Sequence, residues 1–496
     1  MNPHLLRGRS SLTARPNILL LLSDQHRADA MGCAGDEVIQ TPNLDRLAEE
    51  GVRFDRAYCT SPLCMPSRAS LTTGLYPHNH GVLDNATGNL LPVMPTFMRS
   101  LQRAGYHTAG IGKFHYMLHH NIKDIEELHE RMLAFGFDEL LETEGKEVSE
   151  IHQGPWTRHL ARSGLEHTHR DDFRVRRTQH PAWYSAPSPL GEEHHHDAFI
   201  SDQTVRWIDD YRGDRPFFLW TGWVGPHLPW DPPGRFASMY DPAQFRAPPR
   251  DDPAQMPRSV RQKVERFDLA RASERDLAAM SAAYYGLISH VDWHIGRIVE
   301  ALEQRGILEN TVIIYSTDHG EMLGEHGLVQ KSVFYEPAIR VPLIVRYPAR
   351  FSPGASQAFA ELHDLAPTML ELARAEPLRT CEGQSLVPLL EQPDRTPEGW
   401  RDCVYSELKG EHMIRTERFK YTFRLGEQRQ ELFDLARDPR ELRNLSGDPS
   451  LAVIERELHD RLMTWLVQTN RPLNSGDLQP GTLDGYRSEE IQPLLT

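Results

Sequence analysis

Cysteine is scarce in this 496-residue sequence, which contains five in all: Cys33, Cys59, Cys64, Cys381 and Cys403. An odd and widely spaced set of this kind does not predict the disulfide framework of a small secreted domain. A chain of this length can bury a large hydrophobic core without such cross-links. We therefore expect free thiols and a reducing compartment.

Long hydrophobic runs are also absent. The only early apolar run, residues 18–22, is too short for a transmembrane helix, and Asp24 follows it almost at once. No small-residue cleavage site of a signal peptide comes after this run. We interpret it as a buried strand and expect a cytoplasmic protein that does not associate with membranes.

Basic residues are outnumbered, because 55 Lys and Arg stand against 70 Asp and Glu and give a formal net charge of −15. Proteins that bind nucleic acids or anionic membranes usually present a net basic face, so this composition argues against both classes of partner. A small basic pocket for a small anion remains compatible with it.

Strand-like and helix-like segments alternate along most of the chain. Apolar runs predict strands at residues 17–22, 52–59, 106–111, 217–224, 311–316 and 342–346. Helices are predicted at residues 43–50, 66–73, 97–104 and 284–302, the last with apolar residues at helical spacing. This alternation predicts an α/β fold with a large, mixed but mostly parallel sheet flanked by helices. Ligands of such sheets bind at the carboxyl ends of strands.

Two stretches depart from this pattern, and the texture changes again near residue 390. Residues 116–200 are polar and His-rich and are interpreted as an insertion, either simply solvated or shaping the substrate site as a lid. Residues 228–258 are rich in Pro, Asp and Arg and predict an irregular surface segment. Short antiparallel strands and a final helix are predicted at 404–408, 413–415, 419–423, 431–434 and 451–469. We expect a large domain over residues 1–390 and a small α+β domain with a tail over 391–496.

The most specific motif begins with Cys64-Met65-Pro66-Ser67-Arg68 at a predicted helix start and ends with Thr73-Gly74. A cysteine at this point lies at the positive end of the helix dipole, which favours a reactive thiolate; an inert buried cysteine is the alternative. With this motif the chain resembles the type I, formylglycine-dependent sulfatases of the alkaline-phosphatase superfamily, and the resemblance covers most of its length.

The resemblance implies an alkaline-phosphatase-like fold and a modified residue 64. In that family a formylglycine-generating enzyme oxidises the cysteine to an aldehyde, which hydrates to a geminal diol. One diol hydroxyl would attack sulfur, and the second would later allow the sulfate to be expelled. An unmodified cysteine or serine has no second hydroxyl, which is the physical reason for the modification.

Two polar pairs, Asp24-Gln25 and Asp318-His319, each follow a predicted strand. Taken alone, either pair could be a polar loop. The resemblance makes all four residues ligands of one divalent cation, together with an oxygen of the modified Cys64. Oxygen ligands favour Ca²⁺ or Mg²⁺, whereas an imidazole shifts the preference toward Mn²⁺. We expect Ca²⁺.

Several further residues are assigned to the substrate by the resemblance. Lys113 and Lys331 match the sulfate-binding lysines, and His115 matches the base that acts on the diol. His227 would contact the sulfate or the bridging oxygen. Asn85 is a further candidate for the anion, although a loop-capping role is the alternative.

The charges of these residues are consistent with an anionic substrate. Asp24 and Asp318 would neutralise one divalent cation. Arg68, Lys113 and Lys331 then supply positive charge for a sulfate monoester, on whose bridging oxygen negative charge develops during S–O cleavage. A protein with a strongly negative net charge can bind an anion in such a pocket.

The resemblance predicts a sulfatase that hydrolyses aryl or carbohydrate sulfate esters to an alcohol or phenol and inorganic sulfate. One alternative is a phosphonate monoester or phosphodiester hydrolase of the same superfamily; Lys113 and His115 favour the sulfatase. Others are a non-catalytic anion-binding relative with an unmodified cysteine and a thiol hydrolase that uses Cys64 with a histidine base. No motif specifies the leaving group, and an oligomer is compatible with the sequence.

Overall fold

The computed structural model describes residues 15–119, 122–248 and 252–470; the predicted tail at 472–496 lies outside these ranges. The strands are β1 (Asn17–Asp24), β2 (Val52–Phe54), β3 (Ala57–Tyr58), β4 (His107–Gly112), β5 (Glu139–Glu142), β6 (Phe217–Pro226), β7 (Thr311–Thr317), β8 (Leu343–Arg346), β9 (Gly354–Ser356), β10 (Ala360–Glu361), β11 (Cys403–Leu408), β12 (Glu411–Thr416), β13 (Phe419–Arg424) and β14 (Glu431–Asp434). The α-helices are α1 (Pro42–Glu50), α2 (Cys64–Thr73), α3 (Pro77–His80), α4 (Phe97–Arg103), α5 (His129–Leu133), α6 (Pro155–Arg162), α7 (Glu166–Gln179), α8 (His196–Asp210), α9 (Arg258–Phe267), α10 (Glu274–Gln304), α11 (Glu336–Ile339), α12 (Leu365–Leu372), α13 (Val387–Glu391) and α14 (Ala452–Thr469).

Eight strands form the main sheet in the order β5-β4-β6-β1-β7-β8-β2-β9. Central strand β1 pairs in parallel with both of its neighbours, β6 and β7. Strand β8 runs antiparallel to β7 and to β2, so the sheet is mixed but mostly parallel. The predicted fold class is confirmed. All residues of β1 are buried, which explains its continuous apolar run.

Helices cover both faces of this sheet because successive side chains of a strand point to opposite sides. Ile18 and Leu20 belong to one hydrophobic core, which also contains side chains of α2, α4 and α12. Leu19 and Leu21 belong to the other core, against α8 and α10. No helix in the described parts of the chain combines the length and apolarity that crossing a bilayer requires.

The C-terminal part contains a second sheet, in which β11 to β14 pair antiparallel in sequence order. Helix α14 packs on this sheet, where Leu462 and Trp465 contact a core that includes Ile414 and Tyr421. The predicted short antiparallel sheet followed by a helix is therefore confirmed. The predicted domain boundary near residue 390 stays a prediction.

The region 116–200 is more integrated than its composition predicts. Strand β5 lies within it and pairs in parallel with β4 at the edge of the main sheet. Trp156 and Leu160 of α6 are buried, and His196 stacks on Trp156 with ring centroids 4.0 Å apart. The polar composition is misleading because several of its histidines lie inside the fold.

Candidate active site

The polar residues that follow strands meet at one edge of the main sheet. Asp24 is the last residue of β1, Asp318 follows β7, Lys113 follows β4 and His227 follows β6. These four strands are neighbours and run in the same direction, so their carboxyl ends lie side by side. Cys64 faces this edge from the first turn of α2.

Four buried side chains form a compact cluster of possible metal ligands: Asp24, Cys64, Asp318 and His319, with one ligand atom from each within 4.8 Å of the others. The Nε2 atom of His319 lies 3.1 Å from the Cys64 sulfur and 3.6 Å from Asp318 Oδ1. Its Nδ1 atom lies 3.0 Å from the carbonyl oxygen of Gly320, which can only accept. Nδ1 therefore donates to this carbonyl, and Nε2 is the nitrogen directed at the cluster, as in a metal-binding histidine.

Gln25 lies beside this cluster. Its backbone N–H donates to Asp318 Oδ1 at 3.2 Å, and its side-chain amide donates to Glu321. Its carboxamide oxygen accepts a hydrogen bond of 2.5 Å from Lys331 Nζ. The predicted role of Gln25 as a metal ligand stays a prediction, because its side-chain oxygen is directed at Lys331 in this structure.

Arg68 lies behind the two aspartates, with no exposed surface. Its Nε donates to Asp318 Oδ2 at 2.8 Å, and its Nη2 lies 3.2 Å from Asp24 Oδ2. The remaining terminal nitrogen donates to the carbonyl oxygen of Lys113 at 2.7 Å. The guanidinium therefore holds both carboxylates and the Lys113 backbone in place and does not line the cavity.

Two lysines flank Cys64. Lys113 Nζ lies 2.5 Å from Asp24 Oδ2, while Lys331 Nζ lies 2.6 Å from His227 Nε2. The Nδ1 atom of His227 lies 2.6 Å from a backbone carbonyl oxygen, that of Leu228, so it bears the proton and Nε2 accepts from Lys331. Burial and Lys331 lower the pKa of His227 well below its ordinary value, so this imidazole is neutral.

The local charges act strongly on the Cys64 thiol. Burial and Asp24 would raise its pKa, but Lys331, Lys113 and His319 outweigh them and lower it to about 5. The neighbouring cysteine shows the opposite shift, because burial and Asp318 raise the pKa of Cys59 well above its ordinary value. Of these two buried cysteines, only Cys64 is surrounded by cations.

The His115 side chain lines the cavity, and its Nδ1 atom has no hydrogen-bond partner among the described residues. Burial, together with Lys113 and Arg68, lowers the pKa of His115 well below its ordinary value. The imidazole is therefore neutral and can accept a proton.

Backbone strain is concentrated around these residues. Four residues other than glycine adopt left-handed φ angles here: Gln25 at 73°, His115 at 57°, Gln330 at 69° and Ser332 at 70°. Such conformations cost on the order of 1–3 kcal/mol each and persist where the surrounding structure enforces them. Their concentration beside Lys113 and Lys331 is typical of a functional site.

A cavity of about 480 Å³ opens over the cluster and contacts Cys64, Lys113, His115, His227 and Lys331. Asn85 also lines it, although its side-chain oxygen accepts from the Met65 backbone N–H at 2.9 Å, so it also caps the start of α2. The structure thus brings together the predicted site residues, with Arg68 one layer below the cavity wall.

Sequence reasoning missed a second group of cavity residues, namely Glu142, Lys146, Glu147 and Arg266. Three of them lie in the region 116–200, where no motif marks them. They reach the site because β5 pairs with β4 and so ends beside Lys113. The only sequence signal available was the short apolar pair Leu140-Leu141 before Glu142.

Glu142 provides a pH-dependent prediction. Burial raises the pKa of its carboxyl from an ordinary value of 4.5 to about 8. A hydrogen bond from the His115 backbone opposes this shift but is the smaller effect. Because the folded-state pKa is raised, the protonated form stabilises the fold below pH 4.5, and this contribution is lost as the pH rises to about 8.

The Glu142→Gln variant keeps the shape of the protonated acid at every pH. We expect its free energy of unfolding, relative to wild type, to increase by about 2–5 kcal/mol between pH 5 and pH 8. Urea unfolding of both proteins at the two pH values measures this. An unchanged difference would mean that Glu142 is ionised in the folded state.

Comparison with known sequences gives consistent results along the chain. The sulfatase family profile matches residues 16–375, and a profile described as N-sulphoglucosamine sulphohydrolase, C-terminal, matches residues 324–468. An arylsulfatase of Clostridium perfringens is 33% identical over 446 residues, which cover 87% of this chain and 90% of the relative. An N-acetylglucosamine-6-O-sulfatase of Bacteroides thetaiotaomicron is 30% identical over 515 residues, covering 94% of this chain and 88% of the relative.

Two solved structures are similar over nearly the whole chain. The phosphonate monoester hydrolase of Agrobacterium radiobacter has a TM-score of 0.79 at 27% identity, over 92% of this chain and 96% of its own. A structure in complex with its substrate D-glucosamine-2-N,6-O-disulfate has a TM-score of 0.71 at 27% identity, over 94% and 99%. The two differ in chemistry, one named for phosphonate esters and one bound to a sulfated sugar.

Proposed function

The chain belongs to the sulfatase family of sulfuric ester hydrolases, and we propose that residue 64 is its nucleophilic position and the cavity above it the sulfate site. The observation that supports this most is the position of Cys64. Its sulfur lies 3.1 Å from His319 Nε2, inside a cluster with two buried carboxylates and between two lysines.

Sulfatases generally use a metal ion and a formylglycine. Asp24, Asp318 and His319 fit such an ion by their burial and by the orientation of His319 Nε2 toward the cluster. When bound, a divalent cation makes an oxygen nucleophile available at neutral pH and polarises the sulfate. The hydrated aldehyde supplies the two hydroxyls that attack and release require. We propose Ca²⁺, since carboxylate and carboxamide oxygens predominate, and maturation of Cys64 by a formylglycine-generating enzyme.

The other residues have separate tasks in this proposal. Lys113 and Lys331 bind sulfate oxygens, and both are already held by hydrogen bonds to Asp24 and Gln25. Lys331 also donates to His227 Nε2, so this pair can deliver a proton to the departing alcohol oxygen. His115, whose imidazole is neutral, takes the proton when sulfate is released.

Metal removal provides a direct prediction. We expect EDTA treatment followed by desalting to reduce p-nitrophenyl sulfate hydrolysis at least about 100-fold, because two buried aspartates then face the substrate without a compensating ion. Titration with Ca²⁺, Mg²⁺ and Mn²⁺ should restore activity at the lowest concentration for Ca²⁺. Full activity in metal-free protein would contradict the metal site, and tighter activation by Mn²⁺ would correct only its identity.

Phosphonate ester hydrolysis is a second candidate function, which the similarity to the Agrobacterium radiobacter enzyme favours. Lys113 and His115 in the cavity support sulfate as the preferred group. The test compares kcat/KM for p-nitrophenyl sulfate and for a phenyl phosphonate ester with the same matured protein. A higher value for the sulfate supports our proposal, and a higher value for the phosphonate would replace it.

A second cavity beside the sulfate cavity provides room for the alcohol part of the substrate, which is the leaving group. This cavity of about 310 Å³ shares Glu147, Arg266 and Gln330 with the first. Its wall includes His180 and Tyr184, whose rings stack with centroids 3.8 Å apart. Carboxylates with an aromatic surface suit a sugar ring, whose hydroxyls need acceptors and whose C–H face packs on aromatics. We propose a sulfated sugar as the substrate.

Arg266 lies between the two cavities, exposed and without an assigned hydrogen bond or ion pair in the described chain. We expect it to attract a second anionic group on the sugar. Arg266→Gln should raise KM for glucosamine-2-N,6-O-disulfate about fivefold, the size of a partly solvated ion pair, and leave p-nitrophenyl sulfate unchanged. Arg261→Gln on the same helix is the control. Equal effects on KM for both substrates would show that Arg266 does not contribute to recognition of the sugar.

A further inference from the structure

A second group of buried metal-binding side chains lies outside the cavity. His195 precedes helix α8, Asp197 is in its first turn, and His290 lies on α10, which packs against α8. Each offers one ligand atom, and the three atoms lie within 4.8 Å of one another. All three residues are at most 2% exposed. We call them the inner cluster.

Each residue of the inner cluster has a polar atom that makes no hydrogen bond within residues 15–119, 122–248 and 252–470: His195 Nδ1, Asp197 Oδ2 and His290 Nδ1. A buried polar atom without a partner costs about 1–3 kcal/mol, and such atoms are rare in native proteins. Because one ligand atom from each of the three residues lies within 4.8 Å of the others, these side chains can share one bound ligand.

We propose that the inner cluster binds a divalent transition-metal ion, Zn²⁺ in preference to Ca²⁺. Two imidazole nitrogens and one carboxylate oxygen are the donors that zinc prefers, in contrast to the oxygen-rich site beside Cys64. Ligands about 2.0–2.1 Å from a tetrahedral zinc lie about 3.4 Å from each other. His195 Nδ1 and Asp197 Oδ2 are 3.7 Å apart, close to this spacing.

The second nitrogen of each histidine lies near another polar side chain. His195 Nε2 lies 3.8 Å from Asp231, whose carboxylate pairs with Lys146 at 2.5 Å. His290 Nε2 lies 3.0 Å from His294 Nε2. With a metal on His290 Nδ1, His290 donates through Nε2, so His294 carries its own proton on Nδ1.

A proton on His294 Nδ1 would face Arg297, so metal binding requires the contact between these two side chains to change. Arg297 Nη1 lies 3.2 Å from His294 Nδ1 and 2.7 Å from Asp202. On metal binding the first contact opens, and the guanidinium keeps the shorter ion pair. Without a metal, Arg297 donates to His294 Nδ1.

The inner cluster is attached to the segment that presents His227. Asp197 Oδ1 accepts hydrogen bonds of 3.0 Å from the backbone N–H groups of Val224 and Gly225. Lys146, the partner of Asp231, donates to the carbonyl oxygen of His227 at 3.1 Å. A metal would therefore hold this segment in place, a consequence for activity that rests on the proposed function.

Zinc stoichiometry tests the site independently of activity. Proteins are incubated with Zn²⁺, desalted and measured by inductively coupled plasma mass spectrometry. The Asp318→Asn variant, which is weakened at the metal site beside Cys64, should retain one zinc per chain in the inner cluster. Adding His290→Gln or Asp197→Asn should remove it, whereas adding His152→Gln, a buried histidine of the same region, should not.

The opposite result is equally clear. If Asp318→Asn with His290→Gln is folded by circular dichroism and binds as much zinc as Asp318→Asn alone, the inner cluster does not bind the metal. Should the double variants fail to fold, X-ray absorption at the zinc edge of the Asp318→Asn protein decides. Two imidazole ligands support the site, and their absence overturns it. A protein inactive on sulfate esters that still holds this zinc would contradict only the proposed function.

Discussion

Replacing Cys64 with alanine should lower kcat for p-nitrophenyl sulfate by about 10⁴-fold or more while leaving the fold intact. Removal of a nucleophile typically has an effect of this order, because the remaining groups bind the substrate but form no covalent bond to it. The side chain is small and lies at the first turn of α2, so its loss leaves little empty space. The measurement compares turnover by the variant with turnover by matured wild-type protein.

Cys59→Ala is the matched control for this variant. Cys59 is equally buried and lies five residues earlier in the hydrophobic core, where its thiol donates to the backbone carbonyl of Ala338 at 3.9 Å. We expect this variant to lose some stability and to retain kcat within about threefold, since Cys59 lines neither cavity. If Cys64→Ala retains a tenth of wild-type activity, residue 64 is not the nucleophilic position.

Lys113→Ala should have the second largest effect, a loss of about 10²–10³ in kcat/KM for sulfate esters. Lys113 is 6% exposed and lies 2.5 Å from Asp24 Oδ2 at the cavity wall. Its removal takes a preorganised positive charge from the developing anion, and in a dry site such a charge is worth about 3–4 kcal/mol. It also leaves Asp24 with one cation fewer.

The control for Lys113 is Lys409→Ala, since the Lys409 side chain is 65% exposed and 3.8 Å from Asp84. Kinetics on both variants, with melting temperatures, separates loss of catalysis from loss of fold. Lys113→Arg should recover part of the activity because it retains the charge. Equal losses for Lys113→Ala and Lys409→Ala would make Lys113 a structural residue.

The sheet could be predicted from the sequence because its strands are continuous apolar runs. Residues 17–22 and 311–316 had to be buried on both faces, and they became the adjacent strands β1 and β7. The predicted strand at 52–59 instead forms two short strands, β2 and β3, separated by Asp55 and Arg56. Local hydrophobicity does not specify such interruptions.

The candidate site was predictable to a similar degree. Residues after strands, such as Asp24 and Asp318, follow from the rule for carboxyl ends, and Cys64 follows from its motif. Lys146 and Arg266 could not be found in this way, because distant packing, not local sequence, brings them to the cavity. The inner cluster could not be predicted from the sequence either, because His195 and His290 are about a hundred residues apart in the chain.

The mass of the tryptic peptide that contains residue 64, measured together with specific activity, tests the central claim most directly. Conversion of cysteine to formylglycine removes about 18 Da. We predict that specific activity rises in proportion to the fraction of the lighter peptide across preparations made with and without the maturing enzyme. A preparation with full sulfatase activity and only the unmodified cysteine peptide would contradict the account.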